Sequence, residues 1–278
     1  MPCARVNDVD LYYELVGKGP HLVMVNGLGA TTRACAPLAH QFQHRYTTLI
    51  YDHRGVGMSS NPDVAYSLGM HAADLAGLLD ELRIERASVL GMSMGGIVAQ
   101  QFVLDYPDRV NKLVLVTTAG HITTYMRRIG LLFRTLITHL PPEEFARTLT
   151  TLSFTAAFVE KAPDTVAEVE RLLVPDPGDI AGITSQVSML AGGDFSQRLG
   201  RINVPVLVIA GARDILTPVE YSRMLVAAIP DARLAVMEES AHHPLVEQSG
   251  ECARTVIDFL QGSSRPCAAD ARESECAG

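Results

Sequence analysis

No stretch of this 278-residue chain comes near the roughly 18 continuous apolar residues of a membrane-spanning helix, so no membrane partner is expected. Positive charge is also short: 23 Lys and Arg stand against 31 Asp and Glu, a net charge of -8, and the basic residues are scattered. A nucleic-acid partner is therefore not expected, because binding a phosphate backbone needs clustered cations. The five cysteines, Cys3, Cys35, Cys252, Cys267 and Cys276, are odd in number, widely spaced and without a Cys-x-x-Cys pair. Neither a disulfide framework nor a zinc site is indicated, and free thiols are expected. Tryptophan is absent altogether. Residues 1–8 hold no apolar run of the signal-peptide kind, and a cytoplasmic protein is expected.

What the chain does have is 47% hydrophobic residues, in a length that buries one large core. Residues 5–16 alternate loosely as the arm of a hairpin, and 17–20 read as its turn. His21-Leu22-Val23-Met24-Val25 is a continuous apolar run, the mark of a strand covered on both faces in a parallel sheet. A helix over 32–44, a strand over 46–51, a helix over 70–83, a strand over 87–92, a helix over 94–105 and a strand over 110–117 follow. Between 120 and 200 the rhythm changes to helical segments, at 126–138, 142–151 and 164–173, with no strand. It returns with a strand at 205–211, a helix at 218–229, a strand at 232–237 and a closing helix at 245–261. The chain is thus expected to be α/β, with its core in 1–120 and 201–261, a helical insertion at 121–200 and a disordered tail at 262–278.

Chemistry gathers where strands end. Ala87-Ser88-Val89-Leu90-Gly91-Met92-Ser93-Met94-Gly95-Gly96 reads as a strand, a Gly-x-Ser-x-Gly turn and a helix start. Small residues on both sides of a serine let strand and helix approach closely and hold the hydroxyl up at the turn. A serine hydroxyl is a poor nucleophile until a base takes its proton and a third group orients that base. Both partners are present downstream, each just past an apolar strand: Asp214 in Gly211-Ala212-Arg213-Asp214, and His242 in Ser240-Ala241-His242-His243-Pro244. Elsewhere, Asp52 and Arg54 read as braces of a loop, with His53 between them. His40 and His44 share a helix face at metal-ligand spacing but, with no carboxylate motif beside them, read as a solvated face. Arg127, Arg128 and Arg134 read as exposed helix residues, with reception of an acidic substrate as the alternative.

Five motifs in order carry a resemblance: Asn26-Gly27-Leu28-Gly29, Asp52-His53-Arg54-Gly55-Val56-Gly57-Met58-Ser59, Gly91-Met92-Ser93-Met94-Gly95-Gly96, Gly211-Ala212-Arg213-Asp214 and Ala241-His242-His243-Pro244. Over residues 5–261 the chain resembles the α/β-hydrolase-fold serine hydrolases. The resemblance implies a mostly parallel sheet flanked by helices, with a helical lid inserted between nucleophile and acid. It implies Ser93 as nucleophile, His242 as base and Asp214 as the orienting carboxylate, with the backbone N–H groups of Leu28 and Met94 as oxyanion hole. His-x-Pro spacing places the base at His242 rather than His243. Asn26-Gly27, where the family usually has His-Gly, is similar to the 3-oxoadipate enol-lactonase-like branch and points to a small to medium ester or lactone as substrate. The serine excludes the carboxylate nucleophile of dehalogenase and epoxide-hydrolase relatives, and the missing tryptophan removes the dehalogenases' halide-binding indole. No cofactor and no metal are implied. Asn26, His121, Met126, Phe133, Phe154, Met189 and Leu216 are expected around the substrate, with His121 readable either as a pocket edge or as a plain loop residue. Carbon–carbon bond hydrolysis, cofactor-free haloperoxidase or perhydrolase chemistry, and a receptor that retains the triad remain open on the motifs alone.

Overall fold

The computed structural model describes residues 2–190, 194–195 and 197–262. Strands β1 (Cys3–Val6) and β2 (Val9–Gly17) pair antiparallel, and β2 pairs antiparallel with β4 (Thr47–Tyr51). Every later neighbour runs parallel: β3 (His21–Val25), β5 (Ala87–Met92), β6 (Val110–Val116), β7 (Val206–Gly211) and β8 (Ala232–Met237). The described residues form one sheet in the order β1-β2-β4-β3-β5-β6-β7-β8.

The sheet is covered on both faces because its central strands carry continuous apolar runs, and successive side chains point to opposite sides. Val23, Val25, Val89, Leu113, Leu115 and Val208 face one layer, with Leu75 and Leu79 of α2 (Leu68–Glu81) and Val98 and Phe102 of α3 (Met94–Asp105). Leu22, Met24, Leu90, Val114, Leu207 and Ile209 face the other, with Cys35 and Ala39 of α1 (Thr32–Ala39) and Cys252 and Val256 of α11 (Ser249–Gln261). Each such fully buried aliphatic side chain contributes about 1.5–3 kcal/mol of transfer free energy.

Five helices lie between β6 and β7: α4 (Thr124–His139), α5 (Pro142–Ser153), α6 (Ala156–Lys161), α7 (Pro163–Leu173) and α8 (Asp179–Leu190). Helices α9 (Val219–Ala228) and α10 (Pro244–Glu247) complete the chain order. Four details depart from the sequence reading. The hairpin expected to turn at 17–20 turns instead between β1 and β2, where Asn7 takes φ 49, and β2 pairs with β4 rather than with β3. The closing helix expected over 245–261 is interrupted at Gln248, which has φ -124 and ψ 45, and so forms α10 and α11. The helix expected over 32–44 stops at Ala39 and tightens into a 3₁₀ turn at His40–Phe42, consistent with the donor that Pro37 removes inside α1. The stretch read as strandless holds one bridged pair, His121 with Asp194. Apart from Gly262, the tail expected to be disordered lies outside the described residues. Among the described residues no helix is long and apolar enough to cross a membrane.

Candidate active site

The strand β5 hands over to α3 through Ser93, which has φ 52 and ψ -119, a conformation that costs a non-glycine residue about 1–3 kcal/mol. The surroundings impose it. Ser93 N–H donates to the Val116 carbonyl at 3.0 Å, and its carbonyl accepts from Thr118 Oγ1 at 2.7 Å and from Gly96 N–H at 3.0 Å. There is no room for a side chain beside it: a Cβ on Gly95 would lie 2.1 Å from the Val25 carbonyl oxygen. The strained serine is therefore held by β3, β6 and Thr118 as well as by its own turn.

The acid and the histidine meet for a similar reason. A Cβ on Gly211, at the end of β7, would lie 1.9 Å from the Ala241 carbonyl oxygen, so the loops after β7 and β8 touch backbone to backbone. His242 Nδ1 and Asp214 Oδ2 are 2.8 Å apart. Asp214 is buried and fully engaged: Oδ1 accepts the N–H groups of Leu216 at 2.8 Å and Thr217 at 3.0 Å, and Oδ2 accepts Thr217 Oγ1 at 2.7 Å. Burial alone would raise its pKa, but the His242 charge and the hydrogen bonds from His242 and Thr217 outweigh burial and hold it below the ordinary carboxylate value. A carboxylate kept ionised in this way fixes the proton of neutral His242 on Nδ1, leaving Nε2 as the acceptor.

The backbone of His242 is tied on both sides. Its N–H donates to the Ser153 carbonyl of α5 at 2.9 Å, and its carbonyl accepts Thr117 Oγ1 at 3.1 Å. Glu247 ties the same loop to the helical layer, with Oε1 accepting Ala241 N–H at 2.8 Å and Oε2 accepting Thr155 N–H at 2.9 Å. His243 turns away, its ring 4.9 Å from that of Phe154, and burial and then the His242 charge lower its pKa.

Ser93 and His242 open together onto two cavities. One, of about 260 Å³, runs beneath α4 and α8 and is lined by Ile97, Ile122, Met126, Phe133, Val187 and other, mostly apolar, side chains. The other, of about 560 Å³, passes between α1 and α7 toward α10, with Ala34, Leu38, Leu149, Leu172 and Leu245 on its walls. Leu28 borders both, and Met94 borders the first at the opening of α3, where a helix leaves its backbone N–H groups without helical partners. Of the residues expected around the substrate, Met126, Phe133 and Leu216 line these cavities.

The other four do not line either cavity. Asn26 is fully buried; its Nδ2 donates to the Tyr51 carbonyl at 2.8 Å, joining the end of β3 to β4, while its Oδ1 has no hydrogen-bond partner among the described residues. Phe154 stacks on Phe158, centroids 5.4 Å apart, behind His243. Met189 belongs to the sheet core, and His121 sits in its bridge with Asp194. Side-chain type, motif or place after a strand names such candidates, but the direction of a side chain is settled by packing; for His121 the plain loop reading fits. Three further residues at the site were not singled out in advance: Thr217, Glu247 and Gln186. Only Thr217 had a local signal, since Asp-x-x-Thr invites a carboxylate to accept hydrogen bonds from the residues that follow it.

The braces stand where the sequence put them. Arg54 is 2% exposed and grips Asp74 twice, Nε to Oδ2 at 2.6 Å and Nη2 to Oδ1 at 2.7 Å. Asp52 accepts the N–H groups of Thr32 at 2.6 Å and Met58 at 2.9 Å. His53 Nε2 donates to the Asn26 carbonyl at 3.2 Å, so its Nδ1 is bare and accepts from His71 Nδ1 at 3.2 Å. His40 and His44 are exposed.

Residues 20–249 match the alpha/beta hydrolase fold family. The chain belongs to that family. It is 34% identical over 246 residues to 3-oxoadipate enol-lactonase 2 of Acinetobacter baylyi, covering 87% of this chain and 89% of the relative, which bears out the likeness carried by Asn26-Gly27-Leu28-Gly29. Among solved structures it is similar to the enol-lactonase from Burkholderia xenovorans LB400, with a TM-score of 0.86 at 28% identity, covering 94% of this alpha/beta hydrolase and 100% of that chain. A hydrolase from Pseudomonas aeruginosa PA01 gives a TM-score of 0.85 at 29% identity over 93% of this chain and 97% of its own.

Proposed function

We propose that this hydrolase cleaves a carboxylic ester or lactone through an acyl-enzyme on Ser93. The observation that carries the reading is the 2.8 Å contact of His242 Nδ1 with the buried Asp214 carboxylate, in a histidine that opens onto the same cavities as Ser93. Ser93 Oγ attacks the carbonyl carbon while His242 Nε2 takes its proton. The carbonyl oxygen becomes an oxyanion between the N–H groups of Leu28 and Met94, each worth about 3–4 kcal/mol in the transition state. His242 returns the proton to the departing alkoxide, which frees the alcohol or opens the lactone ring. Water, deprotonated by His242, then attacks the acyl carbon, and collapse of the second oxyanion releases the acid and restores Ser93.

Helices α4 to α8 act as the lid over this chemistry. The cavity beneath α4 and α8 is mostly apolar, with Arg127 and Arg134 also on its wall, and suits an acyl chain of small to medium length. Cytoplasmic residence is part of the same reading, since Cys35 and Cys252 are buried free thiols, suited to a reducing compartment.

The test is hydrolysis of p-nitrophenyl esters, acetate through octanoate, by the wild-type protein and Ser93→Ala, with mass spectrometry of a phosphonate-treated sample. Turnover lost in the variant, with one adduct on Ser93, is the expected result. An adduct without turnover on any ester or lactone overturns the substrate class; the absence of both overturns Ser93 as nucleophile.

A further inference from the structure

Helix α8 meets the loops after β3 and β4 with one face, on which Asp179, Gly182, Ile183 and Gln186 fall at helical spacing. Gly182 is pressed so close that a Cβ on it would lie 1.8 Å from the Gly55 carbonyl oxygen. Asp179 Oδ1 accepts the Gly57 N–H at 2.9 Å. Gln186, with no exposed surface, accepts the Gly29 N–H on Oε1 at 3.1 Å and donates from Nε2 to the Arg54 carbonyl at 3.4 Å. A polar side chain buried this completely on an insertion helix is costly unless its hydrogen bonds serve both partners.

The peptide it holds adjoins Leu28. The planar peptide between Gly27 and Leu28 points the Gly27 carbonyl one way and the Leu28 N–H the other, and that carbonyl accepts the Ala30 N–H at 3.2 Å. The peptide between Leu28 and Gly29 is the middle one of this turn, which the turn's own hydrogen bond leaves free to rotate. Gln186 pins it. Gly29 has φ +66, and Ile183 packs 3.0 Å from where its Cβ would be, so α8 backs the same turn by shape as well. Both peptide planes flanking Leu28 are thereby fixed, one by the loop itself and one by a side chain 157 residues further along the chain.

We propose that Gln186 is a positioning residue for acyl transfer: it keeps the Leu28 N–H aimed where the oxyanion forms, and it makes α8 part of the oxyanion loop instead of a movable cover. This rests on the acyl-enzyme reading of Ser93 and Leu28. Substrate then enters and product leaves past α4 and α7, while α8 stays docked.

Gln186→Leu removes the acceptor at similar volume. With p-nitrophenyl butyrate, kcat is expected to fall about 10- to 100-fold, less than when an oxyanion donor is deleted outright, with KM within about threefold. Phosphonate inactivation slows by the same factor, since it forms the same oxyanion. Asp179→Ala instead removes the acceptors that tie α8 to the Gly57 N–H and to the Asp176 N–H; it is expected to lower Tm comparably and keep kcat within about twofold. Gln186→Asn, one methylene too short to reach Gly29, carries the same expectation if the leucine variant does not fold. A folded Gln186 variant with wild-type kcat overturns the proposal, as does an equal loss of kcat in Asp179→Ala, which would reduce the effect to lid stability. Ser93→Ala in the same assays separates the two levels. If it abolishes turnover while Gln186→Leu changes nothing, only the positioning role falls; if it retains turnover, the acyl-enzyme reading falls and the role of Gln186 with it.

Discussion

Replacing Asp214 by Asn tests the wiring of the site with little change of shape. Oδ1 of Asp214 accepts two backbone N–H groups, from Leu216 at 2.8 Å and Thr217 at 3.0 Å, and an asparagine satisfies both only if its oxygen takes that side. Its NH₂ then occupies the Oδ2 position, 2.8 Å from His242 Nδ1 and 2.7 Å from Thr217 Oγ1. The Thr217 hydroxyl rotates and accepts. His242 must accept too, which moves its proton from Nδ1 to Nε2, and an Nε2 that already carries a proton does not take one from Ser93. The expected cost is about 10⁴ in kcat, or roughly 5 kcal/mol of barrier, with the fold kept. Asp214→Ala makes the complementary case: it leaves the Leu216 and Thr217 N–H groups buried and unpaired, at about 1–3 kcal/mol each, so it should melt below the asparagine variant. Steady-state kinetics on a p-nitrophenyl ester and thermal unfolding of both variants decide the matter. A kcat for Asp214→Asn within tenfold of wild type would refute the tautomer argument.

Three further expectations follow from the geometry. His53 and His71 are each 1% exposed and are held neutral, His53 with its pKa lowered to about 4 by burial and His71 also lowered by burial, so the unfolded chain binds protons there before the folded chain does. Stability contributed by their neutral forms is complete above about pH 6.5 and is lost as pH falls toward 4, at up to about 1.4 kcal/mol per unit for each group; His71→Gln should flatten urea-unfolding free energy against pH over that window. Asp74→Asn leaves the buried Arg54 guanidinium only the exposed Asp8 carboxylate, at 3.0 Å, and should destabilise by up to about 3–5 kcal/mol in chemical denaturation, whereas Arg5→Ala, whose pair with Asp10 is exposed, should cost no more than about 1 kcal/mol. Gly130 lines the cavity beneath α4, and a Cβ there meets only Val187 at 3.6 Å, so Gly130→Leu should fold and fill the cavity. Its ester profile is expected to shift toward acetate, and an unchanged octanoate-to-acetate ratio would mean that the acyl chain lies elsewhere.

The sequence by itself determined the sheet and the ends of its strands. Runs such as Leu22-Val23-Met24-Val25 and Val206-Leu207-Val208-Ile209 have no polar side to offer water, so both faces must be covered, and the parallel order follows from the helices between them. Ser93, Asp214 and His242 were legible because each stands shortly after a strand, Ser93 immediately and the other two in short loops that leave little freedom of placement. The identity of the histidine that pairs with Asp214 was legible only through the resemblance, and the structure adds why: Gly211 brings the Ala241 backbone within touching distance, and His242 is the next residue. Tertiary structure alone decided which residues of the helical layer reach the site. Met126 and Phe133 face the cavity while Phe154 and Met189 do not, although all four are apolar side chains on or beside helices, because the rotation of each helix is set by what it packs against. Asn26 directly follows β3, yet its side chain lines neither cavity and its Nδ2 donates to the Tyr51 carbonyl, a partner on another strand. Gln186 and Asp179 look like the polar side of an exposed helix when read along the chain. They are buried because Gly182 lets α8 settle onto Gly55, a contact between residues 127 positions apart that no local pattern encodes.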